Sequence, residues 1–318
     1  MNKMNKRKVL IVLGPTASGK SSFALELAKK FNGFLISADS RQVYKQMDIG
    51  TNKDKGNWKD GGYYLETKRG LKKAIEVKKV REYMVDIIDP DQEFSLDDWL
   101  KQTKQIINDN PDKLPIIVGG TGLYVSALVN DYQLQANYDP KFREKMEKKL
   151  AKKGIDYLIQ KMKKYEPEIE SKIQISNPRR VIRAAEIVLK TKKPLDNKVG
   201  QSEFDFLQFG VNKPREELYK RIDRRVDEMM DEGLVQEVKG LISKGYKCDS
   251  SAMSGIGYRQ VCQFINNEIS KEEAIRLIKR DTRRYAKRQL TWFRRDENIN
   301  WVENLSQVDN SVEKFFKK

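Results

Sequence analysis

The 318-residue chain contains no histidine. That excludes Ser-His-Asp and Cys-His catalysis, H-E-x-x-H zinc sites and imidazole acid–base chemistry. Any general base must be a carboxylate, a lysine, a tyrosine or the substrate itself. Cysteine is scarce: Cys248 and Cys262 are the only two, and neither belongs to a C-x-x-C pair. So few cysteines argue against structural zinc, carry no disulfide framework and fit a reducing cytosol. No apolar run reaches the length of a membrane span. The basic start, residues 1–8, resembles a signal n-region, but the apolar run behind it is short and ends in a glycine-rich loop. It reads as a tail before the first strand.

What is abundant is positive charge: 63 Lys and Arg against 46 Asp and Glu, a net +17. A large basic excess favours a polyanionic partner, because each neutralised phosphate releases counterions; a lysine-rich composition with no partner is the competing explanation. The most informative segment is Gly14-Pro15-Thr16-Ala17-Ser18-Gly19-Lys20-Ser21, directly after the apolar run Val9–Leu13. It is the phosphate-binding pattern G-x-x-x-x-G-K-[ST] between a buried strand and a helix. The helix follows from Phe23, Ala24, Leu27, Ala28 and Phe31, which share one 3.6-period face. In such a loop successive backbone N–H groups cradle phosphate oxygens, Lys20 adds a point charge and the Ser21 hydroxyl is placed to hold Mg²⁺. No Asp closes an apolar strand in a Walker B arrangement, which weakens an ordinary ATPase reading.

Residues 8–130 read as an α/β unit, with strands at 8–13, 34–38, 83–88 and 114–118 and helices at 20–31, 95–108 and 121–130. Ser95 followed by Asp98 resembles a capping box. Alternating strands and helices predict a parallel sheet with helices on both faces and ligands at the carboxyl ends of its strands. Residues 51–81, rich in Lys and Gly with Trp58, Tyr63 and Tyr64, read as a surface excursion of unspecified structure. From 138 to 200 the pattern is helical and charged: Phe142, Met146 and Leu150, then Val181, Ala184, Ala185 and Val188, with Asn177-Pro178 as a helix start. A strand near 206–212 and helices at 214–231, 234–243, 258–267 and 270–294 complete the pattern. The expected class is α/β: a P-loop NTPase-like parallel sheet flanked by helices, built from 1–137 and 205–318, with a helical insertion domain at 138–204.

Four further features bear on chemistry. Asp39 ends the strand 34–38, where its carboxylate could orient Mg²⁺, accept a hydrogen bond from an amine, or simply cap a turn. Gly119-Gly120-Thr121-Gly122 either admits a ligand close to backbone and hydroxyl or is a tight strand-to-helix turn with Thr121 as its cap. Arg221, Arg224 and Arg225 interleave with the apolar face Leu218, Ile222, Val226 and Met229; one of them could reach a diphosphate, or all could form a solvated face. Residues 279–295 carry eight basic side chains and one acidic, interleaved with Tyr285, Trp292 and Phe293, a composition that suits unpaired nucleic acid.

Taken together these segments resemble the tRNA dimethylallyltransferases, also called tRNA isopentenyltransferases. The resemblance rests on residues 14–21, Asp39-Ser40, Val43-Tyr44-Lys45, Met47-Asp48-Ile49-Gly50-Thr51, Asp86-Ile87-Ile88-Asp89-Pro90 and 119–124. Beyond these it includes Asn177-Pro178-Arg179-Arg180, 255–260 and 287–294. It implies transfer of a dimethylallyl group from dimethylallyl diphosphate to N6 of the adenosine just 3′ of the tRNA anticodon. Diphosphate would leave, and Mg²⁺ would be the cofactor. On this resemblance Asp39 is the general base, Thr121 positions donor and acceptor, and Lys20, Ser21 with Mg²⁺, and Arg221 stabilise the leaving diphosphate held by Gly14 to Ser21. Asp39, Ser40, Arg41, Gln42, Thr121, Arg143, Arg179, Arg180, Arg183, Gly257, Tyr258 and Arg259 would contact the anticodon stem-loop. So would Ser254, Lys287, Arg288, Gln289, Thr291, Trp292 and Arg294, and the insertion would grip tRNA. No zinc, no membrane, a monomeric state and a cytoplasmic setting go with it. The chain departs from the family where a Pro-His-His-type stretch usually precedes the Asp-Ile-x-Asp-Pro segment; here Val80-Arg81-Glu82-Tyr83-Met84 stands instead. The loop at 52–80 is also longer than the family pattern. Two alternatives stay open: a prenyltransferase acting on free AMP, ADP or ATP, and a phosphate-loop RNA-binding protein or nucleotide kinase without prenyl transfer.

Overall fold

The computed structural model describes residues 6–53, 63–67, 70–77, 80–135, 139–196 and 199–317. Trp58 lies outside the described residues. The strands are β1 (Arg7–Leu13), β2 (Gly33–Ser37), β3 (Tyr63–Thr67), β4 (Gly70–Val77), β5 (Val80–Tyr83), β6 (Leu114–Gly119), β7 (Phe204–Val211) and β8 (Ile299–Val302). They form one sheet in the order β3-β4-β5-β2-β6-β1-β7-β8. Pairing from β5 to β8 is parallel, and β4 and β3 extend the edge antiparallel. β1 is central because Val9 to Leu13 are apolar without alternation and fully buried, as a strand covered on both faces requires. Each such side chain contributes about 1.5–3 kcal/mol by leaving water.

The chain divides into two compact units, Met1–Val129 with Ser202–Lys318, and Asn130–Gln201. In the first unit α1 (Lys20–Lys30), α2 (Leu96–Asp109) and α3 (Gly122–Val129) follow strands of the sheet, and α7 (Arg215–Asp231), α8 (Leu234–Ser243), α9 (Tyr258–Ile265) and α10 (Lys271–Phe293) follow β7. The Ser95 capping box is present: Asp98 N–H donates to Ser95 Oγ at 3.2 Å and Ser95 N–H to Asp98 Oδ2 at 2.9 Å. The second unit holds α4 (Pro140–Lys163), α5 (Ile169–Lys172) and α6 (Pro178–Thr191) around a core that includes Met146, Leu158, Met162, Val181 and Val188. Asn177 caps α6, accepting from the N–H groups of Arg179 and Arg180.

Four expectations are corrected. The strand expected at 83–88 ends at Tyr83, because Met84 and Asp86 adopt positive φ of 68° and 53° and turn the chain. The segment 51–81 is more than a surface excursion, since β3 and β4 pair within it and add to the sheet. β8 and α11 (Asp309–Lys317), unforeseen in the sequence, close the other edge. Finally, Cys248 and Cys262 are joined in a disulfide with Cα atoms 6.0 Å apart, tying the α8–α9 loop to α9.

Candidate active site

The phosphate loop leaves β1 and enters α1 as the motif predicts. Gly19 caps α1 with φ 95°, a left-handed conformation that a side chain would strain. The positive end of the α1 dipole therefore faces the crevice beyond the strand ends. Ala17 at the loop tip packs against Leu218 and Ile222 of α7 and Ala286 of α10. Thr16 is held twice: its N–H donates to Gln289 Oε1 at 2.9 Å, and its hydroxyl accepts from Arg225 Nη1 at 3.2 Å.

Thr16, Lys20, Ser21, Asp39, Ser40, Arg41, Gln42, Arg225, Ser254, Gly257, Arg259, Tyr285, Arg288 and Gln289 all line one cavity of about 700 Å³. The structure therefore brings together residues drawn from the phosphate loop, the end of β2, α7, the α8–α9 loop and α10. Burial pushes the Lys20 ammonium down to about 8; Asp39 opposes that shift and Arg225 adds to it. Two cations thus share the loop before any anion binds.

Asp39 follows β2. Its Oδ1 accepts from Arg41 N–H at 2.8 Å, and its side chain lines the cavity. The next residue is tied to the turn after β6, the strand beside β2, with Ser40 N–H donating to Thr121 Oγ1 at 3.2 Å. The Tyr285 hydroxyl also hydrogen-bonds Thr121; burial pushes it up to about 12, with Asp39 adding to the shift. Arg41 donates to the carbonyls of Ser251 and Ala252 and to Ser254 Oγ, so it fixes the α8–α9 loop. Gln42 accepts from Ser37 Oγ at 2.9 Å and donates to Thr51 O at 3.3 Å.

Residues 50–53 form a further part of the cavity wall. Glu237 accepts from the N–H groups of Asp48, Ile49 and Gly50 and from the Tyr258 hydroxyl at 2.6 Å. Lys53, with its side chain 2% exposed, donates to Asp48 Oδ1 at 2.8 Å and Asp86 Oδ1 at 2.5 Å. Neither Glu237 nor Lys53 stands out in sequence, because their partners are backbone groups and a distant carboxylate.

Of Arg221, Arg224 and Arg225 on α7, Arg225 lines the cavity. Arg221, half-exposed, pairs with Glu217 at 3.4 Å while its Nη2 lies over Gly19 of the loop. Arg224 pairs with Glu228 in solvent. On α10, Lys287, Arg288, Thr291 and Trp292 are exposed, as is Arg294 at its C-cap. Trp292 lies over Gly122 and donates to Ser126 Oγ at 3.1 Å. Tyr258 and Gln289, in contrast, are buried and bonded to protein. Arg143, Arg179, Arg180 and Arg183 belong to the second unit, where Arg143 and Arg183 both bond the buried Glu186 and Arg179 and Arg180 are exposed at the start of α6. Among the described residues no cluster of three or more Asp, Glu, Cys or His could hold a metal. A divalent ion here would use the Ser21 hydroxyl together with oxygens of the bound phosphates, the donor set that suits Mg²⁺. Among the described residues no helix is long and apolar enough to cross a membrane.

The sequence matches the family described as IPP transferase over residues 42–296. It is 40% identical to a tRNA dimethylallyltransferase of Acetivibrio thermocellus, over 97% of this chain and 95% of that protein. A crystal structure of a tRNA delta(2)-isopentenylpyrophosphate transferase from Staphylococcus epidermidis superposes with a TM-score of 0.66 at 36% identity, covering 98% of this chain and 99% of that one. A eukaryotic dimethylallyltransferase acting on tRNA superposes with a TM-score of 0.74 at 27% identity, over 97% of this chain and 77% of that one. With its phosphate loop, its Asp39 crevice and this agreement along nearly its whole length, the chain belongs to the IPP transferase family.

Proposed function

We propose that this protein transfers a dimethylallyl group from dimethylallyl diphosphate to N6 of the adenosine just 3′ of the anticodon of tRNA, releasing diphosphate. The observation that carries the reading is the convergence of a phosphate loop and Asp39 on one cavity of about 700 Å³, walled by the basic helix α10. A phosphate loop that binds a leaving group needs no hydrolytic water, which accounts for a crevice without a Walker B carboxylate.

In this reading the allylic C1–O bond breaks, the N6–C1 bond forms, and the N6 proton passes to Asp39. Lys20, Arg225 and the start of α1 stabilise charge as it develops on the diphosphate, usually the largest contribution in such a site. Arg221 over the loop adds to it. Mg²⁺, held through Ser21 and the diphosphate, would neutralise further leaving-group charge. Thr121, fixed by Ser40 and Tyr285, aligns acceptor with donor. The adenosine must leave the anticodon stack to reach Asp39, with unstacking offset by crevice contacts. Lys287, Arg288 and Arg294 meet backbone phosphates of the anticodon stem-loop, and Arg179 and Arg180 carry the grip of the second unit. The protein acts as a cytoplasmic monomer.

The test is mass spectrometry of nucleosides from unmodified tRNA with an A-A-A run across the end of its anticodon, after incubation with protein, Mg²⁺ and dimethylallyl diphosphate. A dimethylallyl increment on the adenosine beside the anticodon is the expected result. An increment on free AMP alone moves the reading to the nucleotide prenyltransferase, and no increment on either removes prenyl transfer.

A further inference from the structure

We infer that Gln289 is a positioning residue that sets the spacing between the donor and acceptor halves of the crevice, rather than a reader of RNA. Its side-chain amide is used at both ends by protein. Oε1 accepts from Thr16 N–H of the phosphate loop at 2.9 Å, and Nε2 donates to Gly120 O of the acceptor turn at 2.8 Å. The residue is 6% exposed, so water does not compete for these bonds. A Cβ at Gly120 would sit 2.2 Å from Gln289 Nε2, so a side chain there would displace this amide.

The two loops joined by this one amide hold different substrates in the transfer proposed above, on which the inference rests. The residue after Gly120 is Thr121, whose hydroxyl receives Ser40 N–H and is bonded by Tyr285, one turn before Gln289 on α10. Tyr285 and Gln289 therefore mount the acceptor turn, and through Ser40 the Asp39 segment, on the helix that also clasps the phosphate loop. Bimolecular transfer depends on that span, because reacting atoms must meet at about 3–3.5 Å, and an error of about 1 Å costs on the order of a hundredfold.

Misalignment has a chemical signature. Where the amine is out of reach of the allylic carbon, water takes its place: the C1–O bond breaks, water oxygen bonds C1, and dimethylallyl alcohol, diphosphate and a proton result. Gln289→Met, which keeps shape and loses both bonds, is compared with wild type for both substrate KM values, kcat, and diphosphate released per adenosine alkylated. The expected result is a kcat lower by roughly 10–100-fold, both KM values within about threefold, and a diphosphate-to-product ratio above one. Gln289→Glu keeps an acceptor for Thr16 N–H but faces Gly120 O with a second acceptor. It provides the same test with the loop still tethered should the Met variant not fold, and the same ratio above one is expected. A kcat within about twofold of wild type overturns the inference. So does a raised KM for RNA alone, or a kcat loss that tracks the folded fraction with the ratio at one. If wild type itself alkylates no RNA, the transfer reading fails instead.

Discussion

Arg225 reaches the Thr16 hydroxyl at 3.2 Å and so stands beside Lys20 as a second cation on the phosphate loop. Burial, reinforced by Arg225, holds the Lys20 ammonium near 8 against an ordinary 10.5. A bound diphosphate reverses this by favouring the charged form. Donor affinity is therefore full below about pH 8 and falls above it as free Lys20 deprotonates, with proton uptake on binding of about half a proton at pH 8. For the empty protein the sign differs: unfolded lysine keeps its proton to higher pH than folded, so stability rises with pH between about 8 and 10.5. Calorimetry of diphosphate binding in buffers of different ionisation enthalpy measures the uptake. Arg225→Ala is expected to weaken diphosphate by roughly tenfold, the loss of one charge-assisted bond, and to move the midpoint of uptake upward. Affinity flat between about pH 7 and 9 contradicts the coupling.

Asp39 is held by Arg41 N–H and adjoins the Thr121 turn through Ser40. Asp39→Ala is expected to cut turnover by roughly 10²–10⁴-fold, the range of a lost general base. RNA affinity stays within about twofold, because the basic helix is untouched. Single-turnover transfer and filter binding measure the two quantities. Near wild-type turnover removes the base assignment.

The local parts of this site were legible in the sequence and the non-local parts were not. Gly14 to Ser21 declare a strand, a loop and a helix within a few residues, and Asn177 declares a helix start. The end of β5 misleads because the apolar run Met84-Val85-Asp86-Ile87-Ile88 mimics a strand. What stops it is Asp86, drawn at positive φ onto the ammonium of Lys53, 33 residues away. Gln289 and Tyr258 sit in motifs that suggest RNA contact, yet they answer to Thr16 and Glu237, 273 and 21 residues away. Arg225 and Arg221 are one turn apart on α7, and only the fold shows which of them lines the crevice.

Lys287 and Arg288 are exposed on α10, beside but not part of the buried face formed by Ala286 and Gln289. Their loss should leave the fold intact, although Arg288 also lines the crevice. Each contact with phosphate contributes about 0.7–0.9 to the slope of log affinity against log salt. Lys287→Ala with Arg288→Ala is expected to weaken RNA binding and flatten that slope by roughly 1.5. Fluorescence anisotropy of an anticodon stem-loop across a salt series measures it. Weaker binding with an unchanged slope places these side chains away from phosphate.

Glu237 organises the 48–53 segment of the crevice without lining the cavity itself. Its carboxylate collects the N–H groups of Asp48, Ile49 and Gly50 and the hydroxyl of Tyr258, and residues 50–53 then line the cavity. Hydrogen bonds to a charged group are worth about 1.5–3 kcal/mol each, and partners left buried and unpaired cost more than the bond itself. Glu237→Ala is expected to lower stability by about 2–4 kcal/mol, and Tyr258→Phe, which removes a single bond, by about 1–2 kcal/mol. Urea denaturation measures both. Kinetics separates this wall from the phosphate loop: Glu237→Ala should raise KM for RNA while leaving KM for dimethylallyl diphosphate within about twofold, because Thr16 to Ser21 are held by α7 and α10 instead. Equal increases in both KM values would mean that the two walls move together and that Glu237 supports the whole crevice rather than its acceptor side.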